Sequence, residues 1–218
     1  MTRLAFNAGQ KARLAVLISG RGSNMAALAR AAEAPDFPAG LSLVFSNNPD
    51  APGLAKARAF GVKTVAARST RRHELESALR QALAEASIDL IVLAGYMRLL
   101  SADFTRVWRD KILNIHPSLL PAFPGLDTHQ RALDASVRFH GATVHIATET
   151  PDAGPILGQA ALTVNALETA NELAARVLTL EHQLLPDIVQ RYASGEIWVE
   201  NGQVQGVRRQ VAAAKLRQ

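Results

Sequence analysis

The 218-residue chain contains no cysteine. Disulfides, thiolate nucleophiles and cysteine-ligated zinc are therefore excluded. Aromatic residues make up 5% of the chain, which leaves few rings on which bases could stack. No apolar run approaches the length of a membrane span, and the first residues lack the apolar stretch of a signal peptide. The expectation is a cytoplasmic protein with no membrane partner. Carboxylates are outnumbered: 24 Lys and Arg stand against 19 Asp and Glu, a formal charge of +5. That balance suits anionic ligands. Four of the positive charges lie in "VRRQVAAAKLR" near the end, which reads as a basic tail at 208–218. Small anionic substrates are favoured over nucleic acid.

What is present is a regular alternation. Short apolar runs bounded by turn residues read as buried strands: "RLAVLIS" (Arg13 to Ser19), "LSLVFS" (Leu41 to Ser46), "GVKTVA", "IDLIVLAG" (Ile88 to Gly95), "KILNI", "ATVHIAT" and "PILGQAAL". Helical patterns fall between them: Asn24 to Glu33, Pro52 to Phe60, Arg72 to Ala86, Ser101 to Arg109 and Glu168 to Tyr192. Leu75, Leu79 and Leu83 recur every four residues, as one helix face requires. Asp50 reads as a cap, Ser101 as another, and Pro186 as a place for a kink. "EIWVENGQVQG" reads as a hairpin turning at Asn201-Gly202. The pattern predicts one α/β domain over 13–207 with a mainly parallel sheet flanked by helices, after an extension at 1–12. Ligands then belong beyond the carboxyl ends of the strands, where strand order reverses.

"SGRGSN" (Ser19 to Asn24) follows the first strand and opens the first helix. Glycines allow a tight turn, and a helix N-terminus favours an anion. A dinucleotide fingerprint needs a third glycine where Met25 stands, and the P-loop lysine is missing. The loop is either a cradle for a single phosphate or a plain strand-to-helix turn. Ser23 and Asn24 can donate side-chain hydrogen bonds or cap the helix.

"LNIHPSLLP" (Leu113 to Pro121) ends a strand in Asn114 and His116. Residues two apart on a strand point to one side, so an amide and an imidazole project together. An amide can donate to a developing oxyanion, and a histidine can move a proton near neutral pH. Asp152, in "TETPDAGPIL", offers a carboxylate that would orient the imidazole; the other reading makes it a turn former. His145 reads as a hydrogen-bonded core residue, His129 and His140 as flanking a helix and a loop, and His73 and His182 as helix residues. No HExxH spacing exists, so no metal is expected. No G-x-S-x-G elbow supports a hydrolase triad.

These segments, with "VLAGYMRLLS", "HGATVHIATETPDAGPIL" and "RVLTLEHQLLP", resemble the folate-dependent glycinamide ribonucleotide formyltransferases over Arg13 to Trp198. The resemblance implies a Rossmann-like fold and formyl transfer from 10-formyltetrahydrofolate, a co-substrate, to the amine of glycinamide ribonucleotide in purine biosynthesis. It implies Asn114, His116 and Asp152 as catalytic residues. It assigns Gly22, Ser23 and Asn24 to the substrate phosphate and Glu181 to the ribonucleotide. Arg72, Asn114 and the stretch Met97, Arg98, Leu99 and Leu100 would meet the folate, with Arg71 the alternative to Arg72; Thr148 to Asp152 would close over the pterin. Such an enzyme acts on small molecules as a monomer or homodimer. The alternatives are a formyltetrahydrofolate hydrolase, expected to carry an N-terminal regulatory domain, a methionyl-tRNA formyltransferase, expected to carry a further C-terminal domain, and a non-catalytic nucleotide-binding module.

Overall fold

A computed structural model describes residues 10–206 of the chain. The predicted tail at 208–218 and most of the predicted extension at 1–12 lie outside those residues. The first strand begins at Ala12, one residue before the sequence boundary, and Ala12 is fully buried.

β1 (Ala12–Ile18), β2 (Ala39–Ser46), β3 (Lys63–Ala66), β4 (Leu90–Leu93) and β5 (Ile112–His116) pair in parallel. β6 (Phe139–Ile146) and β7 (Ile156–Thr163) extend the sheet antiparallel. The order is β3-β2-β1-β4-β5-β6-β7, so the chain reverses direction across the sheet between β1 and β4. β1 explains why the sheet is covered on both sides. Leu14, Val16 and Ile18 enter one core and Ala15 and Leu17 the other, all fully buried.

The first core is closed by α1 (Ser23–Ala32), α2 (Pro52–Ala59) and α6 (Ala170–Ala193), through Met25, Leu28, Leu54, Val177 and Leu185. The second is closed by α3 (Arg72–Glu85) and α4 (Ala102–Val107), through Leu79, Leu83 and Phe104. Truncating one such leucine to alanine is expected to cost about 2–5 kcal/mol. α5 (Thr128–Asp134) follows the loop after β5. α6 starts with a full capping box between Thr169 and Glu172, and Pro186 lies inside it. No helix among the described residues is long and apolar enough to cross a membrane.

Ser101 caps α4 as expected, accepting from the Phe104 N–H. Asp50 does not cap α2. Ala51 is the N-cap residue, and Asp50 pairs instead with Arg68. β8 (Ile197–Glu200) and β9 (Gln203–Gly206) form the predicted hairpin. Asn201 and Gly202 both have positive φ, as its tight turn requires.

Candidate active site

Asn114 and His116 lie at the carboxyl end of β5, which is paired on both sides. Asn114 lies beside Leu93 of β4 and opposite His145 of β6. Cross-strand neighbours share a face, and here they bond: Asn114 Nδ2 is 3.0 Å from His145 Nε2. His145 Nδ1 lies 2.9 Å from the Ile146 carbonyl, which can only accept. The network therefore assigns the proton to Nδ1, and Nε2 accepts from the Asn114 amide. Burial is the main cause that lowers the His145 pKa, in agreement with a neutral ring.

His116 is buried, and its two nitrogens face different partners. Nε2 donates to the Phe123 carbonyl at 3.1 Å. Nδ1 faces Asp152 Oδ1 at 3.4 Å, longer than an ordinary hydrogen bond. The same Asp152 oxygen is 3.7 Å from His145 Nε2. Its other oxygen accepts from the Gly125 N–H at 2.8 Å. One carboxylate thus joins the loop after β6 to the loop after β5.

The backbone around Asp152 explains how it reaches inward. Asp152 adopts a left-handed φ of 54°, a conformation that Asp tolerates better than most residues. Gly154 passes so near the Ile146 carbonyl that a Cβ there would lie 1.8 Å from its oxygen. Only glycine fits that approach. Across the site, Thr143 on β6 accepts from the Leu120 N–H at 3.1 Å and donates to the Ser118 carbonyl at 2.6 Å. Those bonds hold the loop that carries Phe123.

The glycine turn opens on the same edge of the sheet. Gly22 is the N-cap of α1 with φ 65°, and no side chain caps the helix. Its first-turn N–H groups have no intrahelical acceptor, and the helix dipole favours an anion beside them. Neither Ser23 nor Asn24 acts as a cap. Asn24 Nδ2 donates to Glu181 Oε2 at 2.5 Å, across from α6. Both residues are buried, and burial raises the Glu181 pKa against the lowering effect of Asn24. Asn24 Oδ1 is buried with no hydrogen-bond partner among the described residues.

The loop after β4 completes the edge. Met97 and Leu99 are 64% and 66% exposed, an apolar ledge beside the strand that neighbours Asn114. Arg98 reaches the Ser69 carbonyl at 3.5 Å, and Leu100 is half-buried. Arg72 is exposed at the start of α3, whereas Arg71 is paired with Glu74 at 3.1 Å.

Residues 12–189 match the family described as formyl transferase. The chain belongs to that family. It is 39% identical over 188 residues to the phosphoribosylglycinamide formyltransferase of Haemophilus influenzae, covering 85% of this chain and 89% of that one. It is 43% identical over 199 residues to the human trifunctional purine biosynthetic protein adenosine-3. That match takes in 89% of this chain but only 20% of the human protein, so the chain spans about a fifth of that relative's length. The crystal structure of phosphoribosylglycinamide formyltransferase from Brucella melitensis superposes with a TM-score of 0.81 at 52% identity, covering 85% of this chain and 97% of that one.

Asn114, His116 and Asp152 therefore meet, as do Asn24 and Glu181. His145 is where the sequence reading fell short. It is buried and hydrogen-bonded as expected, yet it belongs to the site, between Asn114 and Asp152. The signal was its two-residue offset from Thr143 on a strand, but only the β5–β6 register shows what it faces. His129 and His140 also turn out to be partners, their ring nitrogens 3.2 Å apart. His73 is exposed, whereas His182 is half-buried, with a buried Nε2 that has no hydrogen-bond partner among the described residues.

Proposed function

We propose that the chain transfers the formyl group of 10-formyltetrahydrofolate to the primary amine of glycinamide ribonucleotide, a step of purine biosynthesis. The observation that carries this reading is the gathering of Asn114, His116 and Asp152, drawn from one strand end and one loop and joined through His145, within a formyl transferase chain.

The ribonucleotide phosphate sits at the N-terminus of α1, on Gly22 and Ser23. Asn24 and Glu181 meet its polar groups, the Asn24 oxygen as an acceptor without a present donor. The folate lies along Met97, Arg98, Leu99 and Leu100, with Arg72 near its acidic end and Thr148 to Asp152 over its pterin. The amine attacks the formyl carbon, and the carbonyl oxygen gains charge. Asn114 has a second amide hydrogen, beyond the one donated to His145, to offer that oxygen. His116 in its protonated form adds the Nδ1–H, with Asp152 beside that same nitrogen compensating the charge. The amine loses a proton and the folate N10 leaves with one, relayed by His116 or water.

Formyl transfer followed by folate absorbance, with and without glycinamide ribonucleotide, tests this. Turnover that needs the ribonucleotide and is abolished in His116→Ala supports it. Turnover without the amine makes the chain a hydrolase.

A further inference from the structure

Ser19 takes no part in the chemistry above, yet it stands where two loops of the site must be joined. β1 and β4 flank the switch point of the sheet. Ser19 is the first residue after β1, and its N–H donates to the Gly95 carbonyl at 3.0 Å, two residues past β4. Its hydroxyl accepts from the Met97 N–H at 2.7 Å and donates to Asn47 Oδ1 at 2.5 Å. The directions are forced. A backbone N–H can only donate, so the hydroxyl oxygen accepts from Met97, and its one hydrogen goes to Asn47. A single side chain thus ties together the loops after β1, β2 and β4.

We infer that Ser19 is a positioning residue for the formyl donor, fixing the ledge of Tyr96 to Leu100 from the loop that bears the phosphate cradle. The inference rests on the reading of that ledge as the folate subsite. A ledge with exposed Met97 and Leu99 offers a flat ring apolar contact only if its backbone is already held. A slack loop loses affinity to the ordering that binding then demands. The far end of the ledge has its own anchor: Glu76 accepts from the Ser101 N–H at 2.5 Å and from its hydroxyl at 2.6 Å. Removing the Ser19 hydroxyl therefore loosens the near end alone and leaves the fold standing. The consequence falls on the donor rather than on the amine substrate.

The test is steady-state formyl transfer by the full chain and by Ser19→Ala and Ser19→Thr, varying each substrate separately, with tetrahydrofolate binding measured directly. In Ser19→Ala, the KM for 10-formyltetrahydrofolate should rise about three- to tenfold, the range of the one neutral hydrogen bond that the ledge itself loses, at the Met97 N–H. Its kcat and its KM for the ribonucleotide should stay within about twofold. Ser19→Thr, which keeps the hydroxyl, should restore the donor KM. An unchanged donor KM in Ser19→Ala overturns the inference. So does a rise in both KM values together with a fall in Tm, which marks a structural residue. Failure of the unsubstituted chain to bind tetrahydrofolate removes the ledge reading and the Ser19 role with it. Equal binding by the unsubstituted chain and Ser19→Ala removes only the latter.

Discussion

Asp152 Oδ1 lies between two histidines, 3.4 Å from His116 Nδ1 and 3.7 Å from His145 Nε2. The two rings differ in kind. His145 is committed to the neutral form, with Nδ1–H bound to the Ile146 carbonyl, so it offers the carboxylate no N–H. His116 already donates its Nε2–H to the Phe123 carbonyl, so it offers Asp152 an Nδ1–H only when both ring nitrogens carry protons. Asp152 therefore has His116 Nδ1 as its nearer ring partner, while its charge also acts on His145 against the effect of burial. Asp152→Asn keeps the shape and removes that charge. It should lower kcat by about 100-fold, within the usual range of acid–base assistance. The Kd for glycinamide ribonucleotide should hardly move. A large loss of ribonucleotide affinity with kcat preserved would make Asp152 a binding residue instead.

In the proposed mechanism Asn114 and His116 face the reaction more directly. Losing one donor to a developing oxyanion typically costs about 100- to 1000-fold in rate. Asn114→Ala and His116→Ala should each fall by at least that much. Near wild-type turnover in either one refutes the assignment.

His145 should matter through Asn114. With His145→Leu the Asn114 amide loses its anchor and its orientation. Small misplacements of reacting groups can cost up to about 100-fold, so kcat should drop with KM little changed. His145→Gln, whose side-chain oxygen can accept from Asn114, should recover part of the loss. Equal damage from Gln and Leu, with lowered Tm in both, would reduce His145 to a core residue.

His140 and His129 carry a pH signature. His140 is fully buried, and burial first, then His129, pushes its pKa down from 6.5 to about 4. His129 is lowered too, by burial and by His116. Both rings are neutral in the fold, and the unfolded chain binds protons more readily. Their contribution is fully present above about pH 6.5 and is lost as pH falls toward the folded value. For one proton the slope is about 1.4 kcal/mol per pH unit, or about 3–5 °C in Tm. Thermal melts from pH 7.5 to 4.5 should show this decline, and His140→Gln should flatten it. A pH-independent Tm across that window would contradict the buried neutral pair.

The sequence made the sheet legible because fully buried parallel strands are unbroken apolar runs, as in "RLAVLIS" and "IDLIVLAG". The cap at Ser101 and the hairpin at Asn201-Gly202 follow from local chemistry, and both are present. Asn114 and His116 sharing one side follows from strand period alone. What sequence spacing could not give is anything that depends on register or loop closure. The His145 position opposite Asn114, the reach of Asp152 to His116 and the bond of Asn24 to Glu181 span 31, 36 and 157 residues of chain. The failure at Asp50 is of the other kind: a good capping residue stands near a helix start, but the chain enters at Ala51 and the carboxylate goes to Arg68.

The glycine turn makes a last contrast within four residues. Gly22 holds φ at 65°, and a Cβ there would lie 2.8 Å from the Gly53 Cα, a backbone atom that cannot swing aside. Gly53 is itself tied to the turn through its N–H, which donates to the Gly20 carbonyl at 3.0 Å. Gly22→Ala therefore meets both a left-handed backbone and a clash with the start of α2, and either relief moves the N-terminus of α1. The strain alone is worth about 1–3 kcal/mol, a fall of about 3–10 °C in Tm for a chain of this size, and the displaced N–H groups should raise the KM for the ribonucleotide. At Gly20 a Cβ meets nothing within 4 Å, and φ is not in the left-handed region. Gly20→Ala should leave Tm nearly unchanged. Equal destabilisation by the two substitutions would mean that the turn, rather than the Gly22 conformation, sets the cost.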